Sequence, residues 1–204
     1  MKRTFRLTTL LLTALLAMSL SSCLNDNNDT VQQVGKKDYE ALSGNFTGTA
    51  KYIAKPSDKT LTTEEGVKIA VTPDSIMRIT GISAAALAKN ISDDDIRQAI
   101  AALPSPVLTA RFVIYSAASQ GMSMFMKPLP VEFKGVTVKG EKHDYAIAFH
   151  SPSLASLSSS YNKLTVSIFM KTLMEDGKEK ESFFNFDTEV NEKITIFIEC
   201  NRDK

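Results

Sequence analysis

The sequence predicts a mainly β protein: an antiparallel β-sandwich or partly closed barrel of about eight to nine strands with one helical excursion. Three observations predict it. Apolar residues alternate with polar ones at period two, most clearly at Leu164, Val166, Ile168 and Met170, and again at Ile194, Ile196, Ile198 and Cys200. Tight-turn signals separate these runs, above all Asp176-Gly177. One stretch, Asp93 to Leu103, carries a clear helical period. Strands joined by tight turns pair antiparallel, because a parallel pair needs a long crossover.

The elements follow in chain order. Asp38 to Leu42 reads as a short helical lead-in that stops at Gly44, and Asn45 to Ala54 as a first strand. Pro56 to Gly66 reads as loop. Val67, Ile69 and Val71 alternate with polar or small residues, and Ile76 to Ile79 is rich in β-formers. Thr72-Pro73-Asp74-Ser75 between them has Pro at the first corner of a turn. Ala-rich Ser83 to Asn90 suits a helical turn or two. Ser92 is placed to cap the main helix. Asp93, Asp94 and Asp95 fill its first turn, where the helix dipole favours negative charge. Ile96, Ala99, Ile100 and Leu103 form its apolar face, and Pro104 ends it. Strand patterns return at Val107–Ala117, Val131–Lys139 and Lys142–His150, with Gly140 in a turn. Ser151 to Ser160 reads as a Ser-rich connection. After Asp176-Gly177, Phe184 and Phe186 return on one face, and the last strand follows.

The start of the chain has a different character. Lys2, Arg3 and Arg6 precede an apolar run from Leu7 to Leu20, too short for a comfortable membrane span of about 20 residues. Leu20-Ser21-Ser22-Cys23 then resembles the bacterial lipobox, a Leu and two small residues before an obligatory Cys. That resemblance implies a diacylglyceryl group on the Cys23 thiol and cleavage before Cys23. The expected organisation is therefore a signal over residues 1–22, a polar tether over 23–37 and a single mostly β domain over 38–204. The expected partner of Cys23 is a membrane. Two or three acyl chains hold effectively permanently, at about 0.8 kcal/mol per buried CH₂.

Loss of residues 1–22 leaves 21 of the 24 basic residues against 23 acidic ones, a net charge of −2. So balanced a chain offers no general electrostatic hold on nucleic acid. With Cys23 lipidated, Cys200 has no partner for a disulfide within the chain. It shares a face with three isoleucines and reads as a small buried hydrophobe.

No constellation stands out as catalytic. Asp93-Asp94-Asp95 lacks the alternating ligands and Gly of a calcium loop. His143 and His150 are seven apart, on opposite faces of a regular strand, and have no Cys partner for zinc. No Gly-x-Ser-x-Gly, phosphate loop or dinucleotide fingerprint occurs. Neither a metal nor a cofactor is expected. The most unusual segment is Met122-Ser123-Met124-Phe125-Met126. In a strand its three thioethers share one face, which suits core filling, an adaptable apolar contact patch or, chemically, Cu(I).

The lipobox, the Asn/Asp-rich residues after it and the NFTGTAKY opening strand together resemble a family of small lipoproteins from Bacteroides and relatives, grouped as domains of unknown function. The resemblance implies attachment to the outer membrane, on its periplasmic or its cell-surface face. It also implies O-glycosylation candidates in Asp29-Thr30-Val31 and Asp74-Ser75-Ile76, namely Thr30 and Ser75. The functional expectation is a non-enzymatic envelope protein that binds a glycan, a small ligand or another envelope protein through its β domain. The alternatives are a lipocalin-like carrier of a small apolar ligand and a hydrolase of unrecognised type.

Overall fold

Period-two alternation builds eleven strands among the described residues: β1 Gly44–Ile53, β2 Thr62–Thr72, β3 Ile76–Thr80, β4 Leu108–Ala118, β5 Gly121–Pro128, β6 Val131–Val138, β7 Glu141–His150, β8 Ala155–Ser158, β9 Lys163–Glu175, β10 Lys178–Ser182 and β11 Thr195–Arg202. Three short helices accompany them: α1 Lys36–Leu42, α2 Ala84–Ala88 and α3 Asp94–Ala101. This computed structural model describes residues 34–53, 62–151, 153–183 and 195–204. The expected signal, Cys23 and Thr30 lie outside the described residues, as do Phe184, Phe186 and Ile194.

Eight strands close an antiparallel barrel in the order β11–β1–β2–β3–β4–β5–β8–β9, and β9 pairs back onto β11. Inward residues alternate along each strand: Phe46, Ala50 and Tyr52 on β1, Ile69 on β2, Phe112 on β4, Val166 on β9, and Ile196, Ile198 and Cys200 on β11. They belong to one continuous core, as a small eight-stranded barrel requires. Two glycines permit close strand approach. A Cβ on Gly48 would lie 2.0 Å from the Glu199 carbonyl oxygen, and one on Gly121 (φ +119) 2.2 Å from that of Leu157. The second approach seats β8 against β5.

The longest strand, β9, serves two sheets. Its first half pairs with β11 and β8 inside the barrel. Its second half pairs with β7 on one edge and β10 on the other. With β6 on β7 this makes a four-stranded side sheet, β6–β7–β9–β10. At the exit point Ile168, Phe169 and Met170 are all buried, because the strand is covered on both faces there.

Helices α2 and α3 follow β3, and Leu87, Ile96 and Ile100 join the core, with α3 packed on β6. At the other end Leu42 of α1 is buried. The Arg202 guanidinium binds the carbonyls of Ala41, Leu42 and Ser43, the orphan acceptors at the end of α1. It also lies 4.6 Å over the Phe46 ring. The stretch Val34–Lys204 forms a compact unit with its own core. No helix among the described residues is long and apolar enough to cross a membrane.

The structure corrects several details. The cap of α3 is Asp93, whose carboxylate accepts the N–H groups of Asp95 and Ile96. Ser92 instead gives its N–H and hydroxyl to Glu181. The Ser-rich connection contains β8, and β2 already begins at Thr62, inside the expected loop.

Candidate functional site

The β4–β5 hairpin is the region whose outer surface departs most from a solvated strand face. Its inner face carries Phe112, Ile114, Met122 and Met124 into the core. Its outer face is apolar too. Of the six exposed large hydrophobics among the described residues, five lie on this hairpin or just beyond its ends: Val107, Val113, Tyr115, Phe125 and Leu129. Val113, Tyr115 and Phe125 are 61%, 63% and 57% exposed, within strands β4 and β5.

Strand register sets their geometry. Val113 lies directly opposite Phe125, and Arg111 opposite Lys127. The register shifts between Ile114 and Ser116, so Tyr115 is the extra residue of a β-bulge. A bulge re-aims its side chain, and the Tyr115 ring meets Phe125 edge-on, 5.1 Å between centroids at 74°. Neighbouring β3 adds Arg78, opposite Thr109.

Electrostatics marks the same surface. Like charges directly opposite in a sheet are destabilising, yet Arg111 and Lys127 face each other. Ion pairs occur elsewhere on the barrel and side sheet, but among the described residues none engages Arg78, Arg111 or Lys127. Outward neighbours in register around them, Ala70, Thr80, Thr109 and Ser123, carry no negative charge. Among the described residues the face thus combines aromatic surface with positive charge that no ion pair engages.

A second polar cluster lies on the side sheet. His143 Nδ1 is 2.8 Å from Asp176 Oδ2. The Tyr145 hydroxyl donates to Glu175 at 2.7 Å, and Lys180 reaches the other oxygen of Glu175 at 2.8 Å. The hydrogen bond to Asp176 raises the His143 pKa. Lys180, then Tyr145, hold Glu175 below the usual carboxylate range. Each group is satisfied by another, so the arrangement is that of an ion network joining β7 to the β9–β10 turn. Among the described residues no group of His, Cys, Asp or Glu is arranged to hold a metal ion.

A third cluster is structural. Glu64 accepts from the Tyr52 hydroxyl at 2.6 Å and from the Ser83 N–H and hydroxyl. Ser83 in turn caps α2 by accepting from Ala86 N–H. The network pins α2 to the mouth of the barrel, and burial drives the Tyr52 pKa upward. Cys200 is buried on β11, and burial pushes its thiol up to about 11, the state of an unreactive core cysteine.

The expected contact patch divides across the sheet. Met122 and Met124 point inward and are buried, Met126 packs half-buried against the core, and Phe125 alone of the four points outward. The pleat imposes this split, since successive side chains go to opposite faces. Ser75 sits in the β2–β3 turn at φ +67, and its carbonyl accepts the N–H of Phe112 at 3.1 Å. Asp94 and Asp95 at the start of α3 pair with Arg97 and Lys139. Sequence reasoning missed Val113, Tyr115, Arg111 and Lys127. Their signal is that Val107-Leu108 and Phe112-Val113-Ile114-Tyr115 are apolar at both parities, unlike a strand with one solvated face.

The class that these features define is an antiparallel eight-stranded barrel with a side sheet and an aromatic, basic outer face left uncovered among the described residues. The chain belongs to the DUF4840 family, defined by a domain of unknown function, whose profile matches residues 41–175. That span runs from the end of α1 to the end of β9 and includes the whole β4–β5 hairpin. No curated protein and no solved structure matches the chain.

Proposed function

We propose that this protein is a non-catalytic binding barrel, tethered to the outer membrane through lipid on Cys23, that makes contact through the outer face of β4–β5. The carrying observation is the exposed Val113–Phe125 pair with Tyr115 edge-on to it. Apolar residues gathered into one exposed patch mark interaction surfaces more often than residues scattered singly do. The inward side chains of the barrel strands join one continuous core, which supports contact outside the barrel over carriage of an apolar ligand within it.

Thiol labelling tests the reading. Val113→Cys and Lys142→Cys place a thiol on the proposed contact face and on the side sheet. Cys200 gives no background, being buried with a raised pKa, and Cys23 gives none when its sulfur carries lipid. In intact envelopes the thiol at 113 should resist a maleimide while that at 142 reacts; after purification both should react. Equal labelling in the envelope would contradict the contact face. Cys23→Ala should release the protein from membranes, and unchanged partitioning would contradict the tether.

A further inference from the structure

We infer that the occupant of the β4–β5 face is the anionic headgroup layer of a lipid bilayer, so that the barrel lies against the membrane that holds it. This rests on the tethered reading above and names the partner of that contact face.

Charge narrows the choice first. A neutral sugar ring stacks on Tyr115 and Phe125 but leaves Arg78, Arg111 and Lys127 unmatched. The Arg111–Lys127 pair is the costly feature, because two cations face each other across adjacent strands. A dense layer of phosphates relieves that repulsion without needing one fixed geometry. The aromatics then enter the region between headgroups and acyl chains. Long basic side chains around them keep their charges at phosphate level.

Position within the fold agrees. The described body begins at Val34 and α1, and α1 is seated on β4 itself. The Tyr39 ring stacks on Phe112 at 6.0 Å, and its phenolic oxygen accepts the N–H of Ile114 at 3.4 Å. Val113 lies between those two residues and points the other way, outward. The chain thus enters the barrel beside the strand that carries the patch. The stretch from Cys23 to Val34 spans at most about 40 Å even if fully extended. A bilayer fastened at Cys23 would therefore stay within about 40 Å of Val34, where the described body begins. Tethering also raises the local lipid concentration, so a weak surface suffices.

The test uses the chain from Leu24 onward, which lacks the anchor and contains the compact unit Val34–Lys204. Its sedimentation is measured with vesicles of phosphatidylcholine, with and without phosphatidylglycerol. Binding should require phosphatidylglycerol and weaken with salt. Arg78→Gln, Arg111→Gln and Lys127→Gln combined should lower partitioning on the order of 100-fold, from about fivefold per cation at an anionic surface. Tyr115→Ser with Phe125→Ser should lower it about tenfold or more. Arg111→Lys should keep most of it. These side chains point outward, so circular dichroism should stay that of the parent.

No binding to phosphatidylglycerol vesicles, equal binding to neutral ones, or an undiminished triple variant would overturn the inference. The labelling experiment separates the two failures. A thiol at 113 protected in envelopes, with no vesicle binding, keeps the contact face and makes its occupant an acidic protein or polymer. A thiol at 113 that labels freely in envelopes removes both.

Discussion

The hairpins β4–β5 and β6–β7 follow one another in the chain and each buries one face, yet their outer faces treat charge in opposite ways. On β6–β7, Lys134 lies between Glu132 and Asp144 at 3.4 and 3.3 Å, and Asp144 also accepts the N–H of Gly135. On the other face of β7, His143 is matched by Asp176 and buried Tyr145 by Glu175. On β4–β5 two cations face each other, and beside them an apolar pair faces solvent. At the centre of the first surface the charges are paired within the chain. Among the described residues nothing pairs the charges or covers the apolar pair of the second, and that difference singles out the proposed contact face.

The largest expected effect separates the two sides of β4–β5. Phe112→Ala should cost about 3–5 kcal/mol, because it opens a cavity beneath Tyr39. Phe125→Ala, outside, should change stability by no more than about 0.5–1 kcal/mol. Urea midpoints of both variants measure this. Similar losses would mean that the outer face is structural and not held in reserve.

A smaller effect contrasts two tyrosines. Tyr145→Phe removes the hydroxyl bound to Glu175 and should cost about 1 kcal/mol. Tyr115→Phe should be near neutral, since that ring is exposed. An equal loss at both positions would show that the side sheet is no better satisfied than the contact face.

The smallest effect is a pH dependence confined to the side sheet. The Asp176 hydrogen bond raises the His143 pKa, so this contribution is fully present below the ordinary value of 6.5 and is lost as pH rises through the raised value. The Asp144 N–H, then His143, hold Asp176 below 3.8, so its contribution is present above that value and fades as pH falls through the lowered one. The pair therefore works between these limits. The stability gap between the parent and His143→Gln should be open near about pH 5.5 and close by about pH 9. A gap independent of pH would assign His143 a packing role instead.

Much of the fold was legible because its causes are local. Ile196, Ile198 and Cys200 alternate in sequence and all face the core. Asp176 and Gly177 adopt φ +51 and +77, the double positive turn that this dipeptide favours. The strand β8 was not legible. Ala155-Ser156-Leu157-Ser158 holds two apolar residues, too weak a local signal, and it is a strand because β5 and β9 offer edges on either side. The contact face was legible in part. The Met-rich segment drew notice by composition, but of its four candidates Phe125 alone belongs to the outer surface. Apolar residues at both parities of β4 read equally well as a strand buried on both faces.

The sequence by itself determined where most of the strands run, which of their residues alternate inward and where the chain turns, because these depend on pleat geometry and on neighbours a few residues away. Tertiary structure decided that β9 returns to β11 to close a barrel and leaves it again for a side sheet. It also decided that Arg111 meets Lys127 across the register, and that no strand or helix among the described residues covers Tyr115 and Phe125. Whether an apolar side chain becomes core or contact surface depends on what packs over it, and that partner lies far along the chain or outside it.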